Sequence, residues 1–541
     1  MTGTEPAPSA RSGRWRAAAL GGAAFCGSLL LLVFVSLRTG PAFRELARLR
    51  AVDAATGPVQ GAAHGGLAAL ASTSAQQIYD AFAGQGTLFV LLGAWSKLSI
   101  GRVGLLGPLE AARLPWLVLS ALAPLLVYAL ARPALGRRVA VLAGLLLALL
   151  PRWLHGSVVG GDGIPIACSW LVVLAAYVRS LGPARERSRK DSNGRLCWAV
   201  ATACALGFGA AVSLAALWVL PLVAVHFWIA RAPATRRLAP RGRVPVPAFA
   251  LFALAFLPAV LLALNPALWG RDVIQIARWL LAPLAPAVHP TLYAGTLVDA
   301  PPVPLGYAPV WLSTSLPAVV LVCALLGTGL VLHRGLARIF ARGPLRPPRD
   351  RHALGALALL GAAFGAIGPA LTPAVLSVFP PRAALALPFV ALLAAIGLER
   401  AARVAAGDRL AALPAALVVF VVGFLGLRAP GTNSASYDVL LGGARSAAAR
   451  RVFPIGDGSE LGVLARRIDA LGQSQVTLLA PGVPPGIWSE LRDAGRLQTA
   501  IVTAPVERPH QLVLERGKQS GGKVVAAVRR DGAALWALVR R

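Results

Sequence analysis

"LPRWLHGSVVGGDGIPIACSWLVVLAAY", residues 150–177, joins a glycine-rich polar turn to an apolar run that meets no charge until Arg179. Apolar segments of about 17–25 residues are what cross the hydrocarbon core of a bilayer. The reading of this stretch therefore decides between a soluble core and a membrane bundle. It also raises the question of which side His155 and Asp162 face.

The rest of the chain answers the first point. It has 541 residues, 57% hydrophobic and 14% charged, with a mean hydropathy of +0.67. A soluble chain carries about a quarter charged residues. Apolar runs of spanning length recur, so the sequence is that of a polytopic, mainly α-helical membrane protein. Its +31 charge is not a nucleic-acid footprint, because the arginines sit in short loops between apolar runs, where they orient the chain in the membrane. Arginine outnumbers lysine and alanine is abundant, as in a GC-rich bacterial genome.

Eleven spans are expected near 15–37, 112–131, 137–151, 162–181, 196–212, 213–230, 248–265, 307–333, 353–371, 383–399 and 410–428. The basic loops 132–138, 185–195, 231–243, 333–352 and 399–409 then share one side with the N-terminal "RSGRWR". By the positive-inside rule that side is cytoplasmic. Residues 1–14 form a cytoplasmic N-terminus, the first span being too long for a signal-peptide core. Residues 15–428 form the transmembrane domain, with outer loops 38–111 and 266–306, and 152–161 is a shorter outer loop. The expected location is the bacterial inner membrane.

Two outer stretches read as interfacial helices: 86–100, and 272–285 with Trp279 as its membrane anchor. Residues 429–541 change character and read as a periplasmic α/β domain. "SQVTLLAPG" and "QTAIVTAP" are expected strands around a helical "GIWSELRDAG". "KVVAAVRRDGAALWALVRR" is expected to be a hairpin turning at Asp531-Gly532. Cys26, Cys168, Cys197, Cys204 and Cys323 lie in apolar runs without paired spacing, so neither a disulfide framework nor a metal site is expected.

With this topology, Asp53, His64, Asp80, His155, Asp162, His289, Tyr293, Asp299 and Arg382 come from separate loops of the outer face, as residues of a site on a scaffold do. The stretch 289–317, "HPTLYAGTLVDAPPVPLGYAPVWLSTSLP", is stiffened by proline and rich in aromatic faces that suit a sugar or headgroup. Arg382, where a span leaves the outer interface, could grip a phosphate with its planar fork. Each also has a plainer reading: Asp53 and Asp162 as solvated or helix-capping loop residues, Arg382 as a side chain snorkelling to the interface. His226, inside a span, reads as a helix–helix hydrogen-bonder.

Several segments, in order, resemble the GT-C type of integral-membrane glycosyltransferase, in the bacterial branch similar to protein O-mannosyltransferases and the lipid A aminoarabinose transferase. They are residues 112–165, ending "PRWLHGSVVGGDGIP"; "HPTLYAG" with "APPVPLGYAPVWLSTSLP"; "RAALALPFVALLAAIGL" from Arg382; and "SYDVLLGGARSAA" at 436–448. The resemblance implies transfer of a sugar from a polyprenyl-phosphate donor to a periplasmic acceptor, whether lipid, glycan or protein. Neither a cofactor nor a divalent metal is implied, and the partners are the lipid-linked sugar, membrane lipids and that acceptor, without nucleic acid. It implies catalytic roles for Asp53 and Asp162 and donor or acceptor binding by His155, His289, Tyr293 and Arg382. The chain departs from the pattern in the first outer loop. "RAVDAATGPVQ" keeps Asp53 but has Ala54 where the family carries an adjacent Glu, and "GQGTLF" at 84–89 replaces a His-Pro. Three readings stay open: Asp53 as a lone base, Asp80 in its place, or a non-catalytic relative acting as a scaffold or a lipid-linked sugar transporter.

Overall fold

The computed structural model describes residues 10–39, 41, 45–80, 87–159, 163–181, 189–230, 247–281, 291–293, 296–298, 306–339, 350–371, 381–428, 461–479, 483, 486–493, 497–503, 512–516, 523–530 and 533–540. The first long helix is α1 (Ala10–Ser36). The stretch expected as the first outer loop then folds into α2 (Leu46–Gly65), α3 (Thr73–Asp80) and α4 (Leu88–Ser96), which runs on into a π-helical turn, Lys97–Gly101. The bundle continues with α5 (Pro108–Leu135), α6 (Arg137–Leu149), α7 (Pro151–Val159), α8 (Gly163–Leu181), α9 (Arg189–Val212), α10 (Val219–Ala230) and α11 (Ala248–Leu264). After a short α12 (Val273–Leu281) and a hairpin of β1 (Thr291–Tyr293) and β2 (Thr296–Val298) come α13 (Tyr307–Ser315), α14 (Ala318–Ile339), α15 (Asp350–Leu371), α16 (Leu387–Leu410) and α17 (Ala412–Leu427).

Each expected span contains a helix. Among the described residues six helices are long and apolar enough to cross a membrane, or up to seven if α6 and α7 together form one broken span. α10, α11 and α17, together with the apolar part of α15, are shorter apolar helices. α11, α14 and α17 turn large apolar side chains outward, among them Leu254, Leu325 and Phe420, as a bundle surrounded by lipid does.

The stretch quoted at the outset folds differently from its reading as a span, a loop and a span. Pro151 forces Leu150 out of helical geometry, to φ −59° and ψ 125°, because the proline ring clashes with a helical predecessor. The chain restarts at once as α7, bent 59° from α6. Residues 152–159 are therefore a helix, and its Trp153, Leu154, His155, Ser157 and Val158 are buried. A proline is tolerated as the first residue of a helix, since its missing N–H would have no partner there.

Two ends of the bundle can be told apart by contact. At one end Arg138 donates to the Asp408 carbonyl, joining two of the basic loops. Near this end the Tyr177 hydroxyl meets His226 Nδ1 at 3.0 Å, while His226 Nε2 lies 2.9 Å from the Ala353 carbonyl. His226 thus ties α8, α10 and α15 together, as its place inside a span implies. At the other end α2, α3 and α4 share a small core of their own with Ala210, Ala211, Leu261, Leu268 and Trp279. Trp279 is 2% exposed, so it anchors α12 into protein and not, as its position in the sequence suggested, into the membrane interface.

Close helix contacts rest on glycine. A Cβ on Gly327 of α14 would collide with the Leu393 carbonyl of α16, and one on Gly397 with the Cys323 carbonyl. Small residues of this kind let backbones approach where lipid supplies no hydrophobic drive between helices.

The C-terminal region carries α18 (Leu461–Asp469), β3 (Gln475–Leu479), α19 (Gly486–Asp493), β4 (Ala500–Thr503), β5 (Leu512–Arg516), β6 (Lys523–Arg530) and β7 (Ala533–Arg540). The strands form one mixed sheet in the order β4-β3-β5-β7-β6. β3 runs parallel to β4 and β5, and β7 is antiparallel to β5 and β6. Asp469 closes α18 by accepting from the Thr499 amide and hydroxyl, both at 2.8 Å. The expected strands and hairpin are present, while Asp531 and Gly532 lie outside the described residues.

Candidate functional site

Asp53 stands on α2 beside Val52, which is fully buried. α4 lies close against Val52 because Gly93 has no side chain: a Cβ there would come 3.0 Å from Val52 Cγ2 and from the Ala112 carbonyl. With Val52 turned inward, Asp53 is left on the exposed side of α2. Its carboxylate is ion-paired with Lys97, and the two side chains remain 45% and 32% exposed. Lys97 opens the π-helical turn after α4, a local irregularity often found at functional sites.

A second ion pair is fully buried. Arg113 at the start of α5 donates from Nε and Nη2 to the two carboxylate oxygens of Glu45, at 2.7 and 2.6 Å. Its Nη1 donates to the Thr39 carbonyl at 2.9 Å and to Ser36 Oγ at 3.3 Å. Neither side chain of the pair is exposed at all. The planar fork matches the carboxylate geometrically, so one side chain fixes the end of α1, the entry to α2 and the start of α5.

An aromatic and cationic row leads from there to α7. The Arg48 guanidinium lies 5.6 Å from the Trp116 ring centroid, and Trp116 Nε1 donates to the Val158 carbonyl at 3.1 Å. Further along α7, Arg152 lies 5.7 Å from the ring of Trp311 on α13. His155 is on the same helix, 7% exposed, and so within the bundle instead of on a loop. The α3 side of the cap is held by Gln76, whose Oε1 accepts from Arg271 Nε and Nη2 at 3.0 and 2.7 Å.

The structure brings the residues expected at the site together only in part. Arg382 lies in the 3₁₀ segment Pro381–Ala386, which packs against α7 and α8 and so beside the helix of His155. Tyr293 ends β1 and Asp80 ends α3. His64 is exposed near the end of α2. Asp162, His289 and Asp299 lie outside the described residues. The sequence did not single out Lys97, Glu45, Arg113, Arg48 or Arg152. For Arg113 a signal existed: an arginine inside an apolar segment of spanning length is costly to bury alone, and such residues are paired or functional. Among the described residues no three His, Cys, Asp or Glu side chains gather as a metal site would require.

No known protein family's profile matches the chain, and no curated protein matches it. Among solved structures it is similar to the Archaeoglobus fulgidus oligosaccharyltransferase, in the apo form, at 12% identity and a TM-score of 0.46, over 89% of this chain and 64% of that one. The chain thus spans less than two thirds of that enzyme's length. It is also similar to ArnT from Cupriavidus metallidurans in the apo state, at 14% identity and a TM-score of 0.46, over 96% of this chain and 98% of that one. The same ArnT bound to undecaprenyl phosphate gives 14% identity and a TM-score of 0.45, over 95% and 97%. That oligosaccharyltransferase and ArnT are themselves enzymes of the GT-C type.

Proposed function

We propose that the chain is an inner-membrane glycosyltransferase that moves a sugar from a polyprenyl-phosphate donor to a periplasmic acceptor, at the end of the bundle that carries α2, α3 and α4. In this reading the bundle has eleven spans, a cytoplasmic N-terminus and a periplasmic C-terminal region. The observation that carries it is the accessible Asp53–Lys97 pair on a helical cap, at the end of the bundle opposite the Arg138–Asp408 contact. Support also comes from the ordered sequence resemblance and from the row Arg48, Trp116, Arg152, His155 and Trp311 beside the Arg382 segment.

Asp53 then takes the proton from the acceptor's hydroxyl or amine as that atom bonds to the anomeric carbon. The bond from that carbon to the phosphate oxygen breaks, and the lipid phosphate leaves with the electron pair. Cationic side chains stabilise the charge that develops on it. Asp162 remains a second carboxylate for the same role, with His155, His289, Tyr293 and Arg382 as binding groups. The sugar is a hexose or pentose and no metal takes part.

The test is transfer of radiolabelled sugar from a panel of polyprenyl-phosphate sugars by the purified full chain, wild type against Asp53→Asn and Asp162→Asn. Transfer that depends on either carboxylate supports the proposal. Intact protein without transfer across the panel counts against it. The alternative, a non-catalytic relative acting as scaffold or lipid-linked sugar transporter, is favoured by the Asp53–Lys97 pairing taken as a plain surface ion pair. It requires both variants to restore the wild-type glycan in a deletion strain.

A further inference from the structure

α12 has more apolar surface than the protein covers. At about 100° per residue, Ile276, Trp279 and Leu280 fall on one arc, and these pack into the small core shared with α2, α3 and α4. Val273, Ile274, Ala277 and Leu281 fall on a second arc of about 100°, and all four are exposed, Val273 at 81% and Ile274 at 64%. The two arcs adjoin between Leu280 and Val273, and Gln275 and the exposed Arg278 divide them on the opposite side. A helix that is apolar on two sides and polar on a narrow third is not shaped for water.

The position of α12 says what covers the second arc. The helix follows α11, whose Leu251, Leu254 and Leu262 are exposed along its length as part of the lipid-facing surface. α11 ends at the cap, where Thr87 Oγ1 lies 2.5 Å from Asn265 Oδ1 and Gln76 Nε2 donates to the Pro266 and Trp269 carbonyls. Trp269 Nε1 donates back to the Leu262 carbonyl at 2.6 Å. The lipid-facing side of α11 is joined to the uncovered arc of α12 by residues 265–272, which include the 3₁₀ turn Pro266–Leu268.

We propose that α12 is a membrane-immersed float: Val273, Ile274, Ala277 and Leu281 sit in the leaflet at the cap end of the bundle, with Arg278 at headgroup level. Helices of this pattern bury their apolar face about 5–10 Å into the headgroup and acyl boundary. Because Trp279 belongs to the same core as α2 and α4, the depth of α12 sets the height of the Asp53–Lys97 pair above the membrane. The inference rests on the membrane reading alone and stands whether or not the protein transfers sugar.

The experiment places p-benzoylphenylalanine at Ile274 in the full chain, reconstituted in vesicles of phosphatidylethanolamine and phosphatidylglycerol. Illumination is followed by mass spectrometry of the adducts. Position 254, on the lipid-facing side of α11, and position 53 are the controls. The expected result is phospholipid adducts at 274 in a yield comparable to that at 254, and none at 53. A crosslink from 274 to the chain itself or to a second copy overturns the proposal, as does an absence of adducts at 274 while 254 labels. Since 254 reports on correct insertion in the same preparation, a folding failure is recognised as such.

Discussion

Replacing Arg113 by alanine should loosen the joint between α1, α2 and α5. The change leaves the buried Glu45 carboxylate without two charge-assisted donors, and takes a donor from the buried Thr39 carbonyl. Removing one partner of a buried ion pair costs about 3–5 kcal/mol. The double variant Glu45→Met with Arg113→Met removes the buried charge as well, and apolar replacement of such a pair is about neutral. What the double variant still loses is the pair of hydrogen bonds to the Thr39 carbonyl and Ser36 Oγ, about 1–3 kcal/mol, so it should be more stable than Arg113→Ala by a few kcal/mol. Purified proteins would be compared by thermal melting in detergent, read as the loss of the monodisperse size-exclusion peak, with Glu45→Met completing the double-mutant cycle. If Arg113→Ala melts with the wild type, or the two single effects simply add in the double variant, the pair does not hold this joint.

Asp53→Asn should leave the melting midpoint almost unchanged, because an ion pair this exposed contributes about 0–1 kcal/mol, yet abolish sugar transfer; thermal melting and the radiolabel assay on one sample check both halves. Gly327→Val and Gly397→Val should each force α14 and α16 apart and sharply reduce the yield of folded protein in size exclusion. Gly329→Ala, where a Cβ meets nothing within 4 Å, should behave as wild type. His226→Phe removes the hydrogen bonds to the Tyr177 hydroxyl and the Ala353 carbonyl, so the melting midpoint should fall by the equivalent of about 1–3 kcal/mol, and adding Tyr177→Phe should cost little more.

The membrane bundle was legible because apolar length and arginine placement are local signals, each read from a window of about 20 residues. The C-terminal strands were legible for the same reason, through alternation and turn residues. The α7 helix was not, since Pro151 and the glycines at 160, 161 and 163 read as the edges of a loop, and its helicity depends on burial against α1, α5 and α17. Trp279 shows the same failure in reverse: its residue type suited the interface, and a neighbouring core took it. Of the candidate site the sequence offered single residues, Asp53 among them. Their partners were not legible, because Lys97 lies 44 residues from Asp53 and Arg113 lies 68 from Glu45, and no short-range pattern marks such pairs.

The break before Pro151 bears on how the chain enters the membrane in the first place. α6 has 13 residues, about 20 Å of helix, against a hydrocarbon core of about 30 Å. An insertion machinery that tests each emerging segment alone meets one too short to hold its place, opening with Arg137 and Arg138. α5 supplies what α6 lacks: only Gly136 joins the two helices, and Gly144 rests against the Pro124 carbonyl at a distance where a Cβ would stand 3.0 Å away. The two helices are then expected to integrate together, as a hairpin. Gly426 of α17, which leaves room over the Leu149 carbonyl, arrives some 280 residues later to close the elbow. A lesion at Gly144 would accordingly show itself on the ribosome, as a failure of integration, and one at Gly426 only after the chain is released.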